Sequence, residues 1–210
     1  MRDKILKNAC SGMFSDELDK IGYRNQVIQG LAVNAPKGKI YGRARTTKIQ
    51  TMETDDENIR TGLGFIGRLQ KGDVLCVEGS QQFAYFGELM TRLSVRQGLG
   101  GVVIGGLTRD SLYTQTEEKL TIFAAGYSPK DIKGRGRVEA TDVIVTIGGI
   151  QIRKDDWIFG DRDGVVVIPF EGLQQVESKI VSSIGNEEEI ISDIKNNLTV
   201  EEILNRYKEF

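Results

Sequence analysis

The chain contains no histidine at all. That absence removes every Ser-His-Asp or Cys-His nucleophile arrangement, every histidine metal site and the commonest general base. Cysteine is nearly absent too. Cys10 and Cys76 are too few for a structural zinc or iron–sulfur site, and their separation has no C-x-x-C logic. Proline occurs only at 36, 129 and 169. No apolar run approaches the roughly 20 residues that a membrane span needs, so no membrane partner is expected. Clustered Lys/Arg runs are missing as well, and with a net charge of -2 the electrostatic footprint of a nucleic-acid binder is not there. The charged start, Met1 to Lys7, has no apolar stretch of the kind a signal peptide carries. Together with two free-looking cysteines, this leads us to expect a cytoplasmic protein. Any enzyme built from this chain must work with carboxylates, Lys, Arg, hydroxyls, backbone amides or an oxygen-liganded metal.

What is present is a globular balance over 210 residues, 39% hydrophobic and 28% charged, enough for one domain with a proper core. Glycine is abundant at 25 residues, so tight turns are expected. Ser15 is expected to cap a short helix over Asp16 to Ile21, and Asp55 to Leu69, opening on acids, reads as a second helix. Lys39 to Met52 is β-branched and partly alternating, hence a strand or hairpin. Val74 to Val77 and Ile122 to Ala125 read as buried strands, and Gly101 to Ile104 as another ending in Gly105-Gly106. Between them, Gly87 to Gln97 has helical spacing with Leu89 and Leu93 on its stripe. Val138 to Ile147, Ile150 to Arg153, Asp156 to Phe159 and Val165 to Ile168 read as strands. From Phe170 the pattern turns helical, and Thr199-x-x-Glu202 is a capping box for a last helix with Arg206 and Lys208 near its end. The fold class expected is therefore α/β with a C-terminal helical extension.

Three motif look-alikes are set aside on context. Gly62-x-Gly64-x-x-Gly67 matches a dinucleotide fingerprint, but a helical stretch precedes it where a strand is required, so small residues on a packed helix are the better reading. Asp161-Arg162-Asp163-Gly164 resembles part of a calcium loop but lacks the remaining ligands, and reads as a hairpin turn. Gly134-Arg135-Gly136-Arg137 could grip a phosphate, although a turn entering a strand explains it better.

The constellation with chemistry in it is Gly87-Glu88-Leu89-Met90 followed, 21 residues after Glu88, by Arg109-Asp110. A helix and a buried strand connect them, so a helix start and a strand end can lie side by side, where α/β folds bind ligands. Free amides at the start of the Gly87 helix suit a carboxylate. Arg109 can clamp the same anion bidentately, and Asp110 is a hard oxygen ligand for Mg²⁺. The assembly suits a 2-oxo acid. A surface salt bridge beside a glycine turn is the plainer explanation of the same residues, and spacing alone does not exclude it.

The stretch from Phe86 to Thr91 and from Gly98 to Asp110 resembles the RraA-like family, which includes 4-hydroxy-4-methyl-2-oxoglutarate aldolases and regulators of ribonuclease activity A. The resemblance extends to Ser15–Asp19, Lys71–Leu75, Gly134–Gly136 and Gly160–Pro169. It implies a swivelling β/β/α domain over residues 1–170, with 171–210 as a helical tail of the same unit, assembled as a homotrimer or hexamer. It also implies that the Gly87–Met90 loop holds a pyruvate carboxylate, that Arg109 contacts pyruvate, and that Asp110 holds a divalent cation, Mg²⁺ or Mn²⁺. Glu88 stands where the aldolases often have Asp, and Gly105-Gly106 where the family usually reads Asp-Gly. Glu187, Glu188 and Glu189 are candidates for tail acids that reach a neighbour's site. The activity implied is metal-dependent (class II) aldol cleavage of 4-hydroxy-2-oxo acids to pyruvate through an enolate, with oxaloacetate decarboxylation by the same route. A water assisted by Glu88 or a tail acid would serve as base. A Schiff-base lysine is a rival mechanism, and a non-catalytic regulator that binds a ribonuclease is the alternative function.

Overall fold

The computed structural model describes residues 2–34, 38–53 and 59–207. Helices α1 (Arg2–Asn8) and α2 (Ser11–Lys20) lead into short strands β1 (Val27–Ile28) and β2 (Ala32–Val33), then the long β3 (Ile40–Thr51) and helix α3 (Ile59–Arg68). Next come β4 (Val74–Glu78), β5 (Ala84–Phe86), α4 (Glu88–Gln97), β6 (Gly101–Thr108), the single turn α5 (Ser111–Thr114) and β7 (Ile122–Tyr127). The chain continues with β8 (Gly136–Thr141), β9 (Val145–Ile147), β10 (Ile150–Ile152), β11 (Trp157–Asp161) and β12 (Gly164–Ile168). A 3₁₀ turn leads to α6 (Leu173–Lys195) and α7 (Val200–Arg206). The main sheet runs β1-β12-β11-β3-β4-β6-β7-β2, with β5 on β6 and β8 on β3. Its centre, β3-β4-β6-β7, is parallel, and the β11–β12 side is antiparallel. This is the expected α/β class with a helical C-terminal extension.

Burial on both faces explains the near-continuous apolar runs of the central strands. Leu75, Val77, Val102, Ile104 and Ile122 face Phe65, Ile66 and Leu69 of α3 and Met90 of α4. Val74, Cys76, Val103 and Phe123 point the other way, against Val145, Ile147, Ile150 and Ile152 of the β9–β10 hairpin. That hairpin turns through Gly148 and Gly149, both at positive φ, as a two-residue turn demands. A third cluster joins the ends of the chain: Ile5, Phe14 and Leu18 meet Tyr41, Phe159 and Ile168 together with Val176, Ile180 and Ile184 of α6. Each such buried aliphatic side chain contributes roughly 1.5–3 kcal/mol, so the tail is fastened to the sheet by its own apolar face. No helix among the described residues is long and apolar enough to cross a membrane.

Several local expectations need correction. The first of the two predicted helices begins at Ser11, and Ser15 lies inside it. The cap comes from far away: the Asp161 carboxylate accepts from Ser11 N and Ser11 Oγ, both at 2.8 Å. β6 does not end at Gly105-Gly106 but continues to Thr108. Glycine is needed at 106 because a Cβ there would stand 2.6 Å from Ser80 N, where the chain after β4 crosses it. The span Val138 to Ile147 is two strands, broken at Asp142, which takes a left-handed conformation and receives Arg45 through Nε at 2.8 Å and Nη2 at 2.6 Å. On α4 the buried face is Met90, Thr91 and Ser94, while Leu89 is 68% exposed. Small polar residues let that helix lie close on the sheet, Thr91 Oγ1 donating to Gly87 O at 2.8 Å. The acids at the start of the predicted Asp55–Leu69 helix, and Lys208, lie outside the described residues.

Other expectations hold. The G-x-G-x-x-G run lies inside α3, and Gly62 is there because a Cβ would come 2.6 Å from the Tyr85 hydroxyl. Asp161 pairs with Gly164 across a two-residue hairpin, Gly134 at positive φ turns the chain into β8, and Thr199 and Glu202 form the reciprocal capping box of α7.

Candidate active site

The site is built at the carboxyl ends of β5 and β6, two adjacent parallel strands. Thr108 Oγ1 and Arg109 N both donate to Phe86 O, at 2.6 and 2.9 Å, and lock the two strand ends in step. Gly87 follows Phe86 and Arg109-Asp110 follow Thr108, so the spacing read from the sequence does bring the two segments together. They touch closely. A Cβ on Gly87 would collide with the Asp110 carboxylate and lie 2.9 Å from Arg109 Cγ, so glycine here is a condition of the approach.

Asp110 adopts a left-handed backbone conformation, φ 58 and ψ 46, which costs a non-glycine residue energy and here aims its side chain back at α4. Its Oδ2 accepts from Glu88 N at 2.9 Å, and so caps the positive end of α4 from another segment of the chain. Oδ1 of Asp110 has no partner among the described residues. The next two amides of α4, Leu89 N and Met90 N, likewise have no acceptor among them. Arg109 lies alongside, its Nε 3.6 Å from Asp110 Oδ2 and its Nη1 3.0 Å from Asp131 Oδ2. These groups are all partly exposed, so the pairs are held in geometry more than in energy.

Glu88 is oriented differently from expectation. Its Oε1 receives Arg92 Nε at 2.8 Å and Nη2 at 2.7 Å, one turn along the helix. Arg92 in turn lies over the Tyr113 ring, 4.2 Å from its centroid, and the Glu88 hydrogen bond holds its guanidinium above the ordinary arginine range. Burial, and then the hydrogen bond to Glu117, push the Tyr113 phenol upward.

A cavity of about 260 Å³ opens beside these residues, the size of a small metabolite rather than a nucleotide. Gly87, Glu88, Leu89, Met90, Arg109 and Asp110 all line it. Its far wall was not anticipated from sequence: Gly62 and Leu63 of α3, Tyr85 of β5, Val138 of β8, and Asp131 and Ile132 from the loop after β7. Burial keeps the Tyr85 phenol protonated. Asp131 had one usable signal, since β6 and β7 are parallel neighbours whose following loops must lie together. Gly105 does not line the cavity; its missing side chain faces Ile147 of the β9–β10 hairpin, 3.0 Å from where a Cβ would be. Glu187, Glu188 and Glu189 are exposed on α6 and do not line it either.

The profile of a family described as "RraA-like: Aldolase/RraA" matches residues 12–167. A protein of Aromatoleum aromaticum named "Putative 4-hydroxy-4-methyl-2-oxoglutarate aldolase" is 38% identical over 135 residues, 62% of this chain and 79% of that protein. Protein DlpA of Legionella pneumophila is 26% identical over 204 residues, 96% of this chain, which thus spans about a third of DlpA, 33% of its length. Among solved structures, RraAS2 of Streptomyces coelicolor, described as an unusual member of the RNase ES inhibitor RraA protein family, superposes with a TM-score of 0.78. It has 24% identity and the match covers 92% of this chain and 96% of that one, a likeness of fold.

Proposed function

The chain belongs to the RraA-like family, and from that membership we propose that it is a carbon–carbon lyase, a class II pyruvate aldolase that cleaves 4-hydroxy-2-oxo acids of the 4-hydroxy-4-methyl-2-oxoglutarate type. The observation that carries this reading is the pair of open groups at one point: the unclaimed oxygen of Asp110 and the unclaimed amides of Leu89 and Met90, with Arg109 between them and the cavity. The substrate carboxylate binds on those amides, at the positive end of α4, and on the planar fork of Arg109.

Among the described residues, no three acids or cysteines gather into a metal cluster. A cation at Asp110 would therefore have one protein carboxylate and take water and substrate for the rest. That donor set fits Mg²⁺ or Mn²⁺, hard ions that keep several waters. When bound, such an ion supplies Lewis-acid polarisation of the 2-oxo oxygen. The residues of the chain do the remainder. Arg109 and the α4 amides fix the carboxylate and so hold the 2-oxo group in one orientation. In aldol cleavage the C3–C4 bond breaks, the C4 hydroxyl gives up its proton, and the bond's electron pair passes into the 2-oxo group as an enolate. C3 then takes a proton to yield pyruvate. Glu88 assists removal of the hydroxyl proton, directly or through water, by sharing its carboxylate between that water and Arg92. Oxaloacetate decarboxylation follows the same electron flow with CO₂ leaving and no hydroxyl to deprotonate.

The experiment is a pyruvate-release screen of 4-hydroxy-2-oxo acids and oxaloacetate with Mg²⁺ or Mn²⁺ and with EDTA. Release that stops with EDTA is expected; trapping of a pyruvate adduct by borohydride would replace this mechanism with a lysine Schiff base. A second reading, a non-catalytic regulator that binds a ribonuclease, draws support from Leu112, 91% exposed two residues after Asp110, and from the exposed Leu89. No release from any substrate, with a complex formed on ribonuclease, would select it. The reading includes a cytoplasmic setting and a homotrimer or hexamer; light scattering that finds only a 23.3 kDa species would remove the latter.

A further inference from the structure

Resting on the aldolase reading, we infer that Tyr85 is a further catalytic residue: its phenol donates a hydrogen bond to the C4 oxygen of the substrate and stabilises the charge that gathers there as the C3–C4 bond breaks. Tyr85 lies on β5 two residues before Gly87, the glycine packed against Asp110. Its Cα therefore stands about 6.6 Å back along the strand from the carboxylate end of the cavity. Asp110, Arg109 and the α4 amides serve C1 and C2, and Tyr85 borders the space beyond them. The ring packs against the apolar cluster under α3 and α4, and Gly62 makes room for its oxygen, since a Cβ there would come 2.6 Å from the hydroxyl. Among the described residues that hydroxyl has no hydrogen-bond partner, and burial alone pushes the phenol upward, so it stays a proton donor. A largely buried phenol without a partner costs stability. One that borders a cavity is aimed at what the cavity binds.

The other groups on C4 have other partners. A 4-carboxylate is a full charge and is matched by the cations Lys133 and Arg137, which border the same cavity at its exposed rim. A 4-methyl group suits Leu63, Ile132 and Val138. What remains is the C4 oxygen, an acceptor for one neutral donor. The bond changes are those of aldol cleavage. C3–C4 breaks, its electron pair passes into the 2-oxo group as the enolate, the hydroxyl proton goes to the base, and C4–O becomes a carbonyl. Tyr85 keeps its own proton throughout. Negative charge builds on the C4 oxygen as the base takes the proton, and a fixed O–H dipole in an apolar wall answers it most strongly at that moment.

The test is Tyr85→Phe in the intact protein with Mg²⁺. Cleavage of 4-hydroxy-4-methyl-2-oxoglutarate is read beside exchange of the pyruvate methyl protons in D₂O, a reaction that has no C4. Cleavage kcat should fall on the order of 10²-fold relative to exchange, as loss of one oxyanion donor does, with KM moved far less. The thermal midpoint should not fall, because the lost hydroxyl bonds nothing in the protein. Gly62→Ala should imitate the loss by displacing the hydroxyl, and should add little in Tyr85→Phe, where the nearest ring carbon is 3.4 Å from the new methyl. An unchanged ratio of cleavage to exchange in Tyr85→Phe overturns the inference. So does a clear fall in its midpoint, which would give the hydroxyl a partner inside the protein. Additive losses in the double variant would overturn the shared action of Gly62 and Tyr85. Absence of both reactions in the unmodified protein would instead remove the aldolase reading beneath it.

Discussion

Two aspartates at opposite regions of the fold perform the same local task and end in different states. Asp161, at the end of β11, caps α2 by accepting from Ser11 N and Ser11 Oγ, and accepts Asp163 N at 3.0 Å as well. It is buried and its oxygens are committed to the protein. Asp110, after β6, caps α4 by accepting from Glu88 N, on a strained left-handed backbone, and leaves its other oxygen open to a cavity. A carboxylate with both oxygens engaged by backbone and hydroxyl donors is a fastening. One with an oxygen left open, beside an arginine and free amides, is equipped for chemistry. The same capping device thus separates the committed carboxylate at one end of the sheet from the open one at the end where we propose the active site.

Mutations can break this comparison from either side. The largest effect is expected for Asp110→Ala, which should lower kcat on the order of 10²–10³-fold, as loss of a group stabilising developing oxyanion charge does, while lowering the thermal midpoint less than Asp161→Ala does, because the Glu88 amide it caps is exposed to water. Arg109→Lys keeps a charge but loses the planar fork, so steady-state kinetics should show KM raised and kcat lowered together, by roughly tenfold or more in kcat/KM. Asp161→Ala should do the reverse of Asp110→Ala. Leaving Ser11 without its acceptor costs about 1–3 kcal/mol, read as a drop in midpoint by calorimetry, with turnover per folded molecule preserved. Glu88→Gln should slow aldol cleavage several-fold more than oxaloacetate decarboxylation, since only cleavage deprotonates a hydroxyl; equal losses would return Glu88 to its pairing with Arg92.

The smallest effect concerns a third carboxylate. The Arg45 guanidinium, through two hydrogen bonds, holds the Asp142 carboxyl below the ordinary range. Its contribution to stability is present above the unfolded carboxylate range and is lost as pH falls through the depressed folded value. Asp142→Asn should therefore lower the midpoint slightly at neutral pH and narrow the gap to the unmodified protein on acidification.

Features decided within a few residues were legible in the sequence. The Thr199–Glu202 box, the Asp161–Gly164 turn and the buried run at Val74 each carry their cause with them. The reading failed where the cause lies elsewhere in the chain. Ser15 lost the helix start to Ser11 because the cap is supplied 150 residues away. Gly105-Gly106 resembled a strand end until Ser80 supplied the reason for glycine within a strand, and the break at Asp142 depends on Arg45, 97 residues earlier. The same division runs through the site. Gly87, Arg109 and Asp110 were found because one helix and one strand separate them. Leu63, Tyr85 and Val138 of the apolar wall arrive from α3, β5 and β8 with no motif to mark them, and Asp131, after β7, is signalled only by the parallel pairing of β6 and β7.

The most direct test of the central claim is deuterium exchange into the pyruvate methyl group, followed by proton NMR in D₂O with Mg²⁺, for the unmodified protein, Asp110→Ala and Asp161→Ala side by side. It requires enolate formation at the Asp110 end and nothing from a C4 substituent. The account predicts exchange in the unmodified protein and in folded Asp161→Ala, and its loss in Asp110→Ala. Exchange undiminished in Asp110→Ala would contradict it.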